Sequence, residues 1–511
     1  MCPLIAQESS AGSCTLRRVF RRVLIANRGE IAVRIARTLR ELDVAVAAVF
    51  TDADRESRYL AFADDAVALG GDPRAYLDVE RIVDAARRVG ADALHPGYGF
   101  LSENPDLAQA CERAGITFIG PPARAIAEMG NKQRARALMS AASVPLVPGG
   151  PATTLDEARE TARRVGYPVL VKAAEGGGGK GMRRVDDEAE LATALERTAS
   201  EAQAAFGSPE IYIEKALLRP RHVEIQVLGD RDGNLIHLYE RDCSVQRRHQ
   251  KVIEETPCPV LDAATLEAMC QVALGGARSI GYYSAGTFEF LLDVDRQFYF
   301  LEMNTRLQVE HPITELVTGV DLVREMVRVA AGQPLRATTP ERRGAAIEAR
   351  IYAEEPARGF LPSPGRVTAL VEPAGPGVRV DSGIEPGSQI GADYDPMLAK
   401  LAVWAPDRET AIRRLARALS EYAVLGVETN IEFLRRLTEN AAFRGGDYDT
   451  GLIQASPELT EPRALSSSAA SDLALALAAL SATEVEPRAR AADAGTSSPS
   501  AWVLAGRPRW R

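Results

Sequence analysis

Polar and apolar residues alternate without a break from Glu302 to Glu310, in the order E-M-N-T-R-L-Q-V-E. Successive side chains of an extended strand point to opposite faces of its sheet. The alternation therefore predicts a strand with one face that carries two carboxylates, two amides and a guanidinium, namely Glu302, Asn304, Arg306, Gln308 and Glu310. Such a face suits a metal ion and an anion far better than it suits a hydrophobic core.

The segment before this row predicts a β-hairpin. Residues 286–303 read G-T-F-E-F-L-L-D-V-D-R-Q-F-Y-F-L-E-M, which is two β-rich runs around a polar stretch. A turn centred on Asp295 and Arg296 places Glu289 opposite Glu302, with Cβ atoms about 4.5–5.5 Å apart. Because like charges at that spacing repel, we expect a divalent cation with oxygen ligands there. A solvated hairpin face is the alternative for this pair alone, and the polar row that follows argues against it.

Composition sets the broad class of the protein. A chain of 511 residues is long enough for about three or four domains. Its net charge of −9 argues against a basic nucleic-acid-binding surface. The six cysteines have neither metal-ligand nor disulfide-framework spacing. With no secretory signal and no apolar run of about 20 residues, the sequence predicts a cytoplasmic protein with free thiols.

The N-terminal part predicts a parallel α/β sheet of the Rossmann-like kind. Residues 22–26 are typical of a buried strand, a helix is expected from about Glu30 to Leu42, and a second strand from Val44 to Phe50. The turn has one glycine, Gly29, and not the G-x-G-x-x-G of dinucleotide sites, which argues against a nicotinamide or flavin enzyme. The chain as a whole is predicted to be of the α/β class, α+β overall.

A glycine run predicts a phosphate-binding loop. Residues 172–182 read K-A-A-E-G-G-G-G-K-G-M, so four glycines with free backbone N–H groups lie between Lys172 and Lys180. The alternative is a flexible turn, and a Walker A loop is excluded because Gly181 follows Lys180. Further on, Glu348 and Arg350 alternate on an expected strand, and Arg306 and Arg350 suit a small planar oxyanion. The charge run E-R-D-C-S-V-Q-R-R-H-Q-K at 240–251 is equally compatible with a solvated face.

Taken in order, these segments resemble the ATP-grasp biotin carboxylases, the biotin carboxylase subunits or domains of acyl-CoA carboxylases. The resemblance is carried by A-N-R-G-E-I-A, H-P-G-Y-G-F-L-S-E-N, G-G-G-G-K-G-M, R-H-V-E-I-Q-V, the 240–251 run, G-T-F-E-F and E-M-N-T-R-L-Q-V-E-H-P-I-T-E, and it covers about residues 21–452. It implies a Rossmann-like N-terminal domain, an ATP-grasp domain with a mobile glycine-rich lid, and a β-rich C-terminal domain. It also implies a ligase that forms ADP: MgATP and bicarbonate give carboxyphosphate, and N1′ of protein-linked biotin takes up the CO2.

The resemblance implies domain limits and roles for particular residues. The expected units are a leader (1–20), the N-terminal domain (21–130), a connector (131–143), the lid subdomain (144–216), the catalytic domain (217–345), the C-terminal domain (346–455) and an Ala/Ser/Pro-rich tail (456–511). The nucleotide site would include Lys132, Lys172, Gly178, Gly179, Glu214, Lys215, Ala216, Leu217, His222, Gln246, His249 and Lys251.

The reacting groups follow in the same way. The ligands of Mg²⁺ or Mn²⁺ would be Glu289, Glu302 and Asn304, of which the two acids also belong to the nucleotide site. Lys251, Arg306, Gln308 and the Val309 backbone would lie at the bicarbonate. Glu310 would deprotonate bicarbonate as the general base, and Arg350 would stabilise the biotin enolate.

The sequence departs from the family pattern at two positions near the nucleotide site, and it lacks the usual biotinylation motif. Asn131 and Glu175 replace residues that are more common in the family, which affects only the expected nucleotide affinity. No M-K-M biotinylation sequence occurs, so biotin is expected on a carrier protein or a missing C-terminal part. The expected partners are that carrier, a carboxyltransferase and a second copy of the chain, with no nucleic acid or membrane. Other ATP-grasp ligases, such as carbamoyl-phosphate or purine-pathway enzymes, and a non-catalytic paralogue remain the alternatives.

Overall fold

A computed structural model describes residues 19–152, 154–173, 182–206, 210–248, 250–335 and 338–461. The N-terminal part is a five-stranded parallel sheet in the order β3-β2-β1-β4-β5. Its strands are β1 (Arg22–Ile25), β2 (Ala45–Phe50), β3 (Asp65–Ala68), β4 (Ala93–His95) and β5 (Thr117–Phe118). Its helices are α1 (Gly29–Glu41), α2 (Val79–Arg88), α3 (Pro105–Arg113) and α4 (Ala123–Gly130). The predicted Rossmann-like unit is confirmed, and α1 begins at Gly29, whose φ of +65° favours glycine.

A short helix and a small sheet follow. Helix α5 (Lys132–Ala141) fills most of the predicted connector. The small antiparallel sheet has the order β6-β9-β7-β8. It consists of β6 (Gly149–Pro151), β7 (Val169–Ala173), β8 (Met182–Val185) and β9 (Ile211–Lys215), with helices α6 (Leu155–Val165) and α7 (Glu188–Phe206). Valines 169, 171 and 185 and Ile213 form its core with alanines of α6 and Leu191 of α7.

One large antiparallel sheet organises the rest of the chain, in the order β14-β13-β10-β11-β12-β15-β22-β20. The strands from β10 onward are β10 (Arg221–Gly229), β11 (Leu235–Arg247), β12 (Gln250–Thr256), β13 (Ser284–Leu292), β14 (Phe298–Asn304), β15 (Ala345–Tyr352), β16 (Glu354–Glu355), β17 (Leu361–Pro362), β18 (Gly365–Arg366), β19 (Ala369–Val371), β20 (Val378–Ser382), β21 (Gln389–Ile390), β22 (Met397–Ala405) and β23 (Ala423–Leu425). The helices are α8 (Ala263–Ser279), α9 (His311–Thr318), α10 (Leu322–Ala330), α11 (Arg408–Glu421), α12 (Ile431–Glu439), α13 (Ala441–Gly445) and α14 (Leu452–Ala455). The predicted domain boundary between residues 345 and 346 does not interrupt this sheet, because β12, from before the boundary, pairs with β15.

The side-chain alternation of β10 separates a core face from a polar face. Val223, Ile225 and Val227 pack with Phe288 of β13 against residues of α8. The intervening residues His222 and Glu224 are also buried, on the opposite face. The large sheet therefore presents a buried polar surface, and the candidate site is built on it. Within the described ranges, no helix combines the length and apolar character needed to cross a membrane.

The predicted hairpin is confirmed, although its strand pairing is not in the predicted register along the whole hairpin. Glu289 lies opposite Glu302, as expected. Nearer the turn the pairing is shifted by one residue, since Phe290 pairs with Phe300. A β-bulge at Leu301 absorbs this shift, and it restores the predicted partner for Glu289.

The predicted strand from Glu302 to Glu310 is wrong beyond Asn304, where β14 ends. The N–H of Thr305 donates to Oε1 of Glu103 at 3.0 Å, so the backbone leaves the sheet there. Glu310 is the N-cap of α9, and Pro312 occupies the first turn of that helix. The polar side chains of 306–310 therefore belong to a loop and a helix start, and their alternation does not reflect an extended strand.

Candidate active site

Lys251 of β12 connects two halves of the candidate site, one around Glu289 and one around Glu310. Its ammonium donates to carboxylates of Glu224 at 2.6 Å, Glu289 at 2.8 Å and Glu310 at 2.7 Å. Burial by itself lowers the pKa of Lys251, but Cys243 and the three carboxylates raise it well above its usual value. The lysine thus stays a cation that holds three buried acids around one point.

Glu289 lies at the centre of the half of the site where a metal ion is expected. Its Oε2 contacts Nε2 of His222 at 2.9 Å, and its Oε1 accepts from Nδ2 of Asn304 at 2.9 Å. Burial raises the pKa of Glu289, but Lys251 and then His222 outweigh burial and hold it well below the usual range. Ligand atoms of His222, Glu224 and Glu289 all lie within 4.8 Å of one another.

The electrostatics of Glu302 fit a divalent cation. Burial first, and the facing carboxylate of Glu289 second, raise the pKa of Glu302. Two opposed carboxylates next to the Asn304 amide form the oxygen-rich set that Mg²⁺ and Mn²⁺ prefer. The Asn304 oxygen accepts from Nη2 of Arg306 at 2.9 Å, and its second lone pair is the one that could bind a cation. Lys132, at the start of α5, acts on the charge of Glu302 from the connector.

Arg306 is held by a carboxylate of the N-terminal sheet unit. Its Nε donates to Oε2 of Glu103 at 2.8 Å, and its Nη1 donates to Oε1 of Gln308 at 2.9 Å. Glu103 lies between β4 and α3, and it also fixes the backbone of Thr305. The structure therefore places Arg306 and Gln308, two residues of the expected anion site, in direct contact. Glu103 was missed, although it lies in the quoted segment H-P-G-Y-G-F-L-S-E-N.

Glu310 and Arg350 are in direct contact at the other end of the site. Nη2 of Arg350 donates to Oε2 of Glu310 at 3.2 Å, and Nε of Arg350 donates to Oε1 of Glu254 at 2.6 Å. Burial raises the pKa of Glu310, but Lys251, Arg350 and Arg241 together lower it well below its usual value. Glu310 is therefore an ionised carboxylate at neutral pH.

Two further groups were missed by sequence reasoning. Lys400 of β22 is buried, and its Nζ donates to the carbonyl of Val309 at 3.0 Å and lies 3.2 Å from Glu30 of α1. The Val309 carbonyl is thus engaged, which leaves its N–H as the backbone group for an anion. Arg241 of β11 donates to Glu224 at 2.5 Å, so Glu224 lies between Arg241 and Lys251. The motif R-H-V-E-I-Q-V contained Glu224, and only its buried partners reveal its importance.

The expected nucleotide residues fall into three groups. Lys172 of β7 contacts Glu214 of β9, which also accepts from Nη1 of Arg136 at 2.8 Å. Lys215 donates to the carbonyls of Gly166 and Tyr167, both at 2.9 Å, and Ala216 and Leu217 follow directly. Gln246 lies opposite Lys251 in the ladder between β11 and β12. Gly178, Gly179 and His249 lie outside the described residues.

Sequence models of known families match almost the whole described chain. The biotin carboxylase N-terminal domain matches residues 19–126, the ATP-binding domain of the carbamoyl-phosphate synthase L chain matches 131–338, and the biotin carboxylase C-terminal domain matches 348–455. Biotin carboxylase 1 of Bacillus subtilis is 48% identical over 85% of this chain and 98% of its own length. A pyruvate carboxylase subunit of Methanothermobacter thermautotrophicus is 50% identical, over 85% of this chain and 90% of its own length.

Longer relatives and solved structures agree with these matches. The methylcrotonoyl-CoA carboxylase α subunit of Glycine max is 48% identical over 88% of this chain, which spans only 62% of the length of that relative. The biotin carboxylase domain dimer of Hydrogenobacter thermophilus 2-oxoglutarate carboxylase, solved with MgADP, ADP and bicarbonate, has a TM-score of 0.83 at 45% identity and covers 87% of this chain and 99% of its own. A Campylobacter jejuni biotin carboxylase complex has a TM-score of 0.82 at 44% identity, over 85% and 99% of the two chains. The chain belongs to the biotin carboxylase family of ATP-grasp ligases.

Proposed function

We propose that this chain carboxylates biotin on a carrier protein, using MgATP and bicarbonate through carboxyphosphate. One observation carries the proposal: Lys251 bridges Glu289, the expected metal ligand, and Glu310, the expected base. The groups for activating the nucleotide and the groups for activating the anion thereby share one ammonium. This arrangement suits a reaction in which bicarbonate attacks a metal-bound phosphate.

The nucleotide half has a division of labour among the chain's own residues. Glu289, Glu302 and Asn304 would hold the divalent ion of MgATP, which neutralises charge on the transferring phosphate when it is bound. Lys172 and Lys132 offer positive charge to the phosphates, and the segment around Gly178 and Gly179 is proposed to cover them. The residues from Glu214 to Leu217, with His222, Gln246 and His249, are proposed to line the rest of the nucleotide site.

The anion half has three tasks. Arg306, fixed by Glu103, and Gln308 orient bicarbonate, and the N–H of Val309 is available to it. Glu310 accepts the bicarbonate proton, because its carboxylate is ionised at neutral pH. Arg350 offers its guanidinium to the developing enolate oxygen of biotin, which stabilises that charge in the transition state.

The partners are proposed from the chemistry of biotin and from the relatives. Because the sequence has no M-K-M biotinylation site, the acceptor biotin is proposed to come from a carrier protein or domain. The names of the relatives include subunits of pyruvate and methylcrotonoyl-CoA carboxylases, which supports a carboxyltransferase as the second partner. The dimer of the 2-oxoglutarate carboxylase domain supports a homodimer.

We also retain the predicted domain limits as a proposal. The family matches break between residues 126 and 131 and between 338 and 348, which supports divisions near 130 and 345. The strands on both sides of the second division share one sheet, so limited proteolysis should cut near 130 before it cuts near 345. A cytoplasmic location is supported by the four described cysteines, which are all free.

The experiment that tests the function measures ADP release with purified chain, MgATP and bicarbonate. Free biotin should stimulate ADP release, and omission of bicarbonate should abolish the stimulation. Ammonia and aminoimidazole nucleotides serve as the competing acceptors of other ATP-grasp ligases. Stimulation by either of these, without stimulation by biotin, would contradict the proposal.

A further inference from the structure

A row of buried charged side chains crosses the large sheet beneath α9. Glu254 of β12 lies opposite Glu348 of β15, and Arg350 of β15 lies opposite Lys400 of β22. Opposite residues of an antiparallel ladder share a face, as do residues two apart on one strand. All four side chains are therefore on one face, and all four are buried. Residues of α9 pack on the same face.

Glu348 has no hydrogen-bond donor among the residues that the structure describes. Neither of its side-chain oxygens has a partner, and Oε2 of Glu254 also lacks one. A buried carboxylate without a hydrogen bond is strongly disfavoured relative to its protonated form. Burial raises the pKa of Glu348 well above its usual value, and the charges of Glu254 and Glu310 add to this effect. The cations Lys400 and Arg350 lower the pKa but do not outweigh burial. Burial and the missing hydrogen bonds thus favour the neutral carboxylic acid at Glu348, which has an O–H to donate.

The only vacant acceptor that the register brings opposite this O–H is Oε2 of Glu254, within the described part of the chain. Cβ atoms of such a cross-strand pair are about 4.5–5.5 Å apart, so the two carboxyl groups are within reach of each other. Two carboxyl groups that face each other out of water hold one proton between them. Burial, opposed chiefly by Arg350, also raises the pKa of Glu254, to about 7.

The second oxygen of Glu254 determines where Arg350 lies. Oε1 accepts from Nε of Arg350 at 2.6 Å and is 2.5 Å from its Nη2, which also donates to Glu310 at 3.2 Å. Glu254 and Glu310 therefore compete for one guanidinium. A proton shared with Oε2 of Glu254 weakens the negative charge of this carboxylate. More of the positive charge of Arg350 is then available to another oxygen, such as that of the biotin enolate.

We propose that Glu254 and Glu348 share a single proton, and that this pair positions Arg350 so that its charge remains available to the biotin enolate. The role of the pair rests on the function proposed above. When the pair loses its proton, two facing carboxylates draw the guanidinium toward themselves and away from biotin. Glu254 and Glu348 are positioning residues, since they act through Arg350.

Other charged groups lie around the pair, and one of them is Glu30, which lies 3.2 Å from Lys400 and whose pKa burial raises to about 7. Toward Glu254 these groups are Lys251 and Glu310, and toward Glu348 they are Lys400, Arg350 and Glu310. His311 begins α9 above the same face, and burial together with nearby cations lowers its pKa well below the usual value. Lys251 and Glu310 keep their charges near neutral pH, because their pKa values are shifted away from it.

Infrared spectroscopy of the full chain tests the shared proton directly. The wild type should show carbonyl stretches of buried, protonated carboxyl groups, and Glu348→Gln should remove the component that belongs to the pair, whereas Glu30→Gln should leave that component in place. The matched control is Glu255→Gln, on the opposite face of β12, where the carboxylate contacts Arg408 and Tyr448. The control should keep that component. A carboxyl spectrum of Glu348→Gln that is identical to that of wild type would overturn the proposal, whether or not the chain carboxylates biotin.

Kinetics test the positioning role. Glutamine at 348 still donates to Glu254 but cannot ionise, so Glu348→Gln fixes this side of the pair in one protonation state at every pH. Wild type should lose biotin-dependent turnover as the pH rises above neutral, and Glu348→Gln should resist that loss. Identical pH profiles would overturn the proposal. Absence of biotin-dependent turnover in wild type would instead contradict the proposed function, and the infrared result would still stand.

A second variant covers the other member of the pair. Glu254→Gln removes the charged acceptor that fixes the position of Arg350, so the KM for biotin should rise about tenfold, which corresponds to about 1.4 kcal/mol. The KM for MgATP should not change. An equal rise in both KM values would indicate a structural role alone and would overturn the proposal.

Discussion

At the scale of single residues, Glu310 shows how burial and neighbouring charges set the ionisation state of the proposed general base. Burial favours its protonated form, but the cations Lys251, Arg350 and Arg241 outweigh burial and lower its pKa. The carboxylate is consequently ready to accept a proton without first losing one. The same cations make it a weak base, so its efficiency must come from its position next to the anion site.

Glu310→Gln should separate proton abstraction from nucleotide binding. The amide keeps the size of the side chain but cannot accept the bicarbonate proton, so biotin-dependent ADP release should fall by about a hundredfold or more. MgATP binding, measured by titration calorimetry, should be nearly unchanged. The control is Glu325→Gln on α10, whose partner is Arg328; it should release ADP at the wild-type rate. Wild-type turnover in Glu310→Gln would show that another group is the base.

The depressed pKa of Glu310 also predicts how stability depends on pH. A carboxyl group with a lowered folded-state pKa stabilises the fold above its unfolded value, here 4.5, and loses that contribution as the pH falls toward the folded value. The free energy of unfolding of wild type should therefore fall more steeply below about pH 4.5 than that of Glu310→Gln. Urea denaturation at a series of pH values measures both slopes, and parallel curves would contradict the assignment.

At the scale of elements, the hairpin of β13 and β14 shows what the sequence can predict and what it cannot. The period-2 pattern and the turn length predicted that Glu289 faces Glu302, and the bulge at Leu301 keeps that pairing. The end of β14 at Asn304 was not predicted, because the residues after it continue to alternate. What ends the strand is the contact of Thr305 with Glu103, a residue 202 positions away, which no local pattern records.

Glu302→Gln should weaken the proposed metal site of this hairpin without affecting biotin binding. Removal of one of two opposed carboxylates reduces the attraction for a hard cation, so the Mg²⁺ concentration for half-maximal ADP release should rise about tenfold. The KM for biotin should stay the same. Asp295→Asn, which removes an acid from the turn of the same hairpin, is the matched control and should leave the Mg²⁺ requirement unchanged. An unchanged requirement in Glu302→Gln would exclude it as a ligand.

At the scale of the whole molecule, the N-terminal sheet unit supports a site that lies on the large sheet. Glu103 anchors Arg306, and Glu30 of α1 lies next to Lys400, which holds the Val309 carbonyl. Both connections reach the anion half of the site. The N-terminal unit therefore supports the proposed bicarbonate site through residues that need not touch bicarbonate.

Glu103→Gln should consequently affect bicarbonate more than nucleotide. Loss of the charged acceptor leaves Arg306 less well fixed, and the KM for bicarbonate should rise about tenfold to a hundredfold, since a hydrogen bond to a charged group contributes roughly 1.5–3 kcal/mol. The KM for MgATP should change little. Glu112→Gln, on the exposed side of α3, provides a control from the same unit. Equal KM values for bicarbonate in Glu103→Gln and wild type would contradict this anchoring role.

The residues that the sequence revealed and those that it missed differ in the range of their contacts. Arg306, Gln308 and Glu310 come together although they do not form a strand, because they are close in the chain. Glu103, Glu254 and Lys400 gain their importance from partners 203, 96 and 91 positions away. Their recognition required the fold, since burial and pairing across the sheet cannot be read from neighbouring residues.

The position of Lys251 has a consequence for the order in which substrates act. One ammonium group neutralises both Glu289 and Glu310. Any cation that reaches Glu289 therefore changes the share of that ammonium's charge which acts on Glu310. Binding of the nucleotide's cation at Glu289 and the basicity of Glu310 are thus linked through the charge of one ammonium group. This link requires no conformational change.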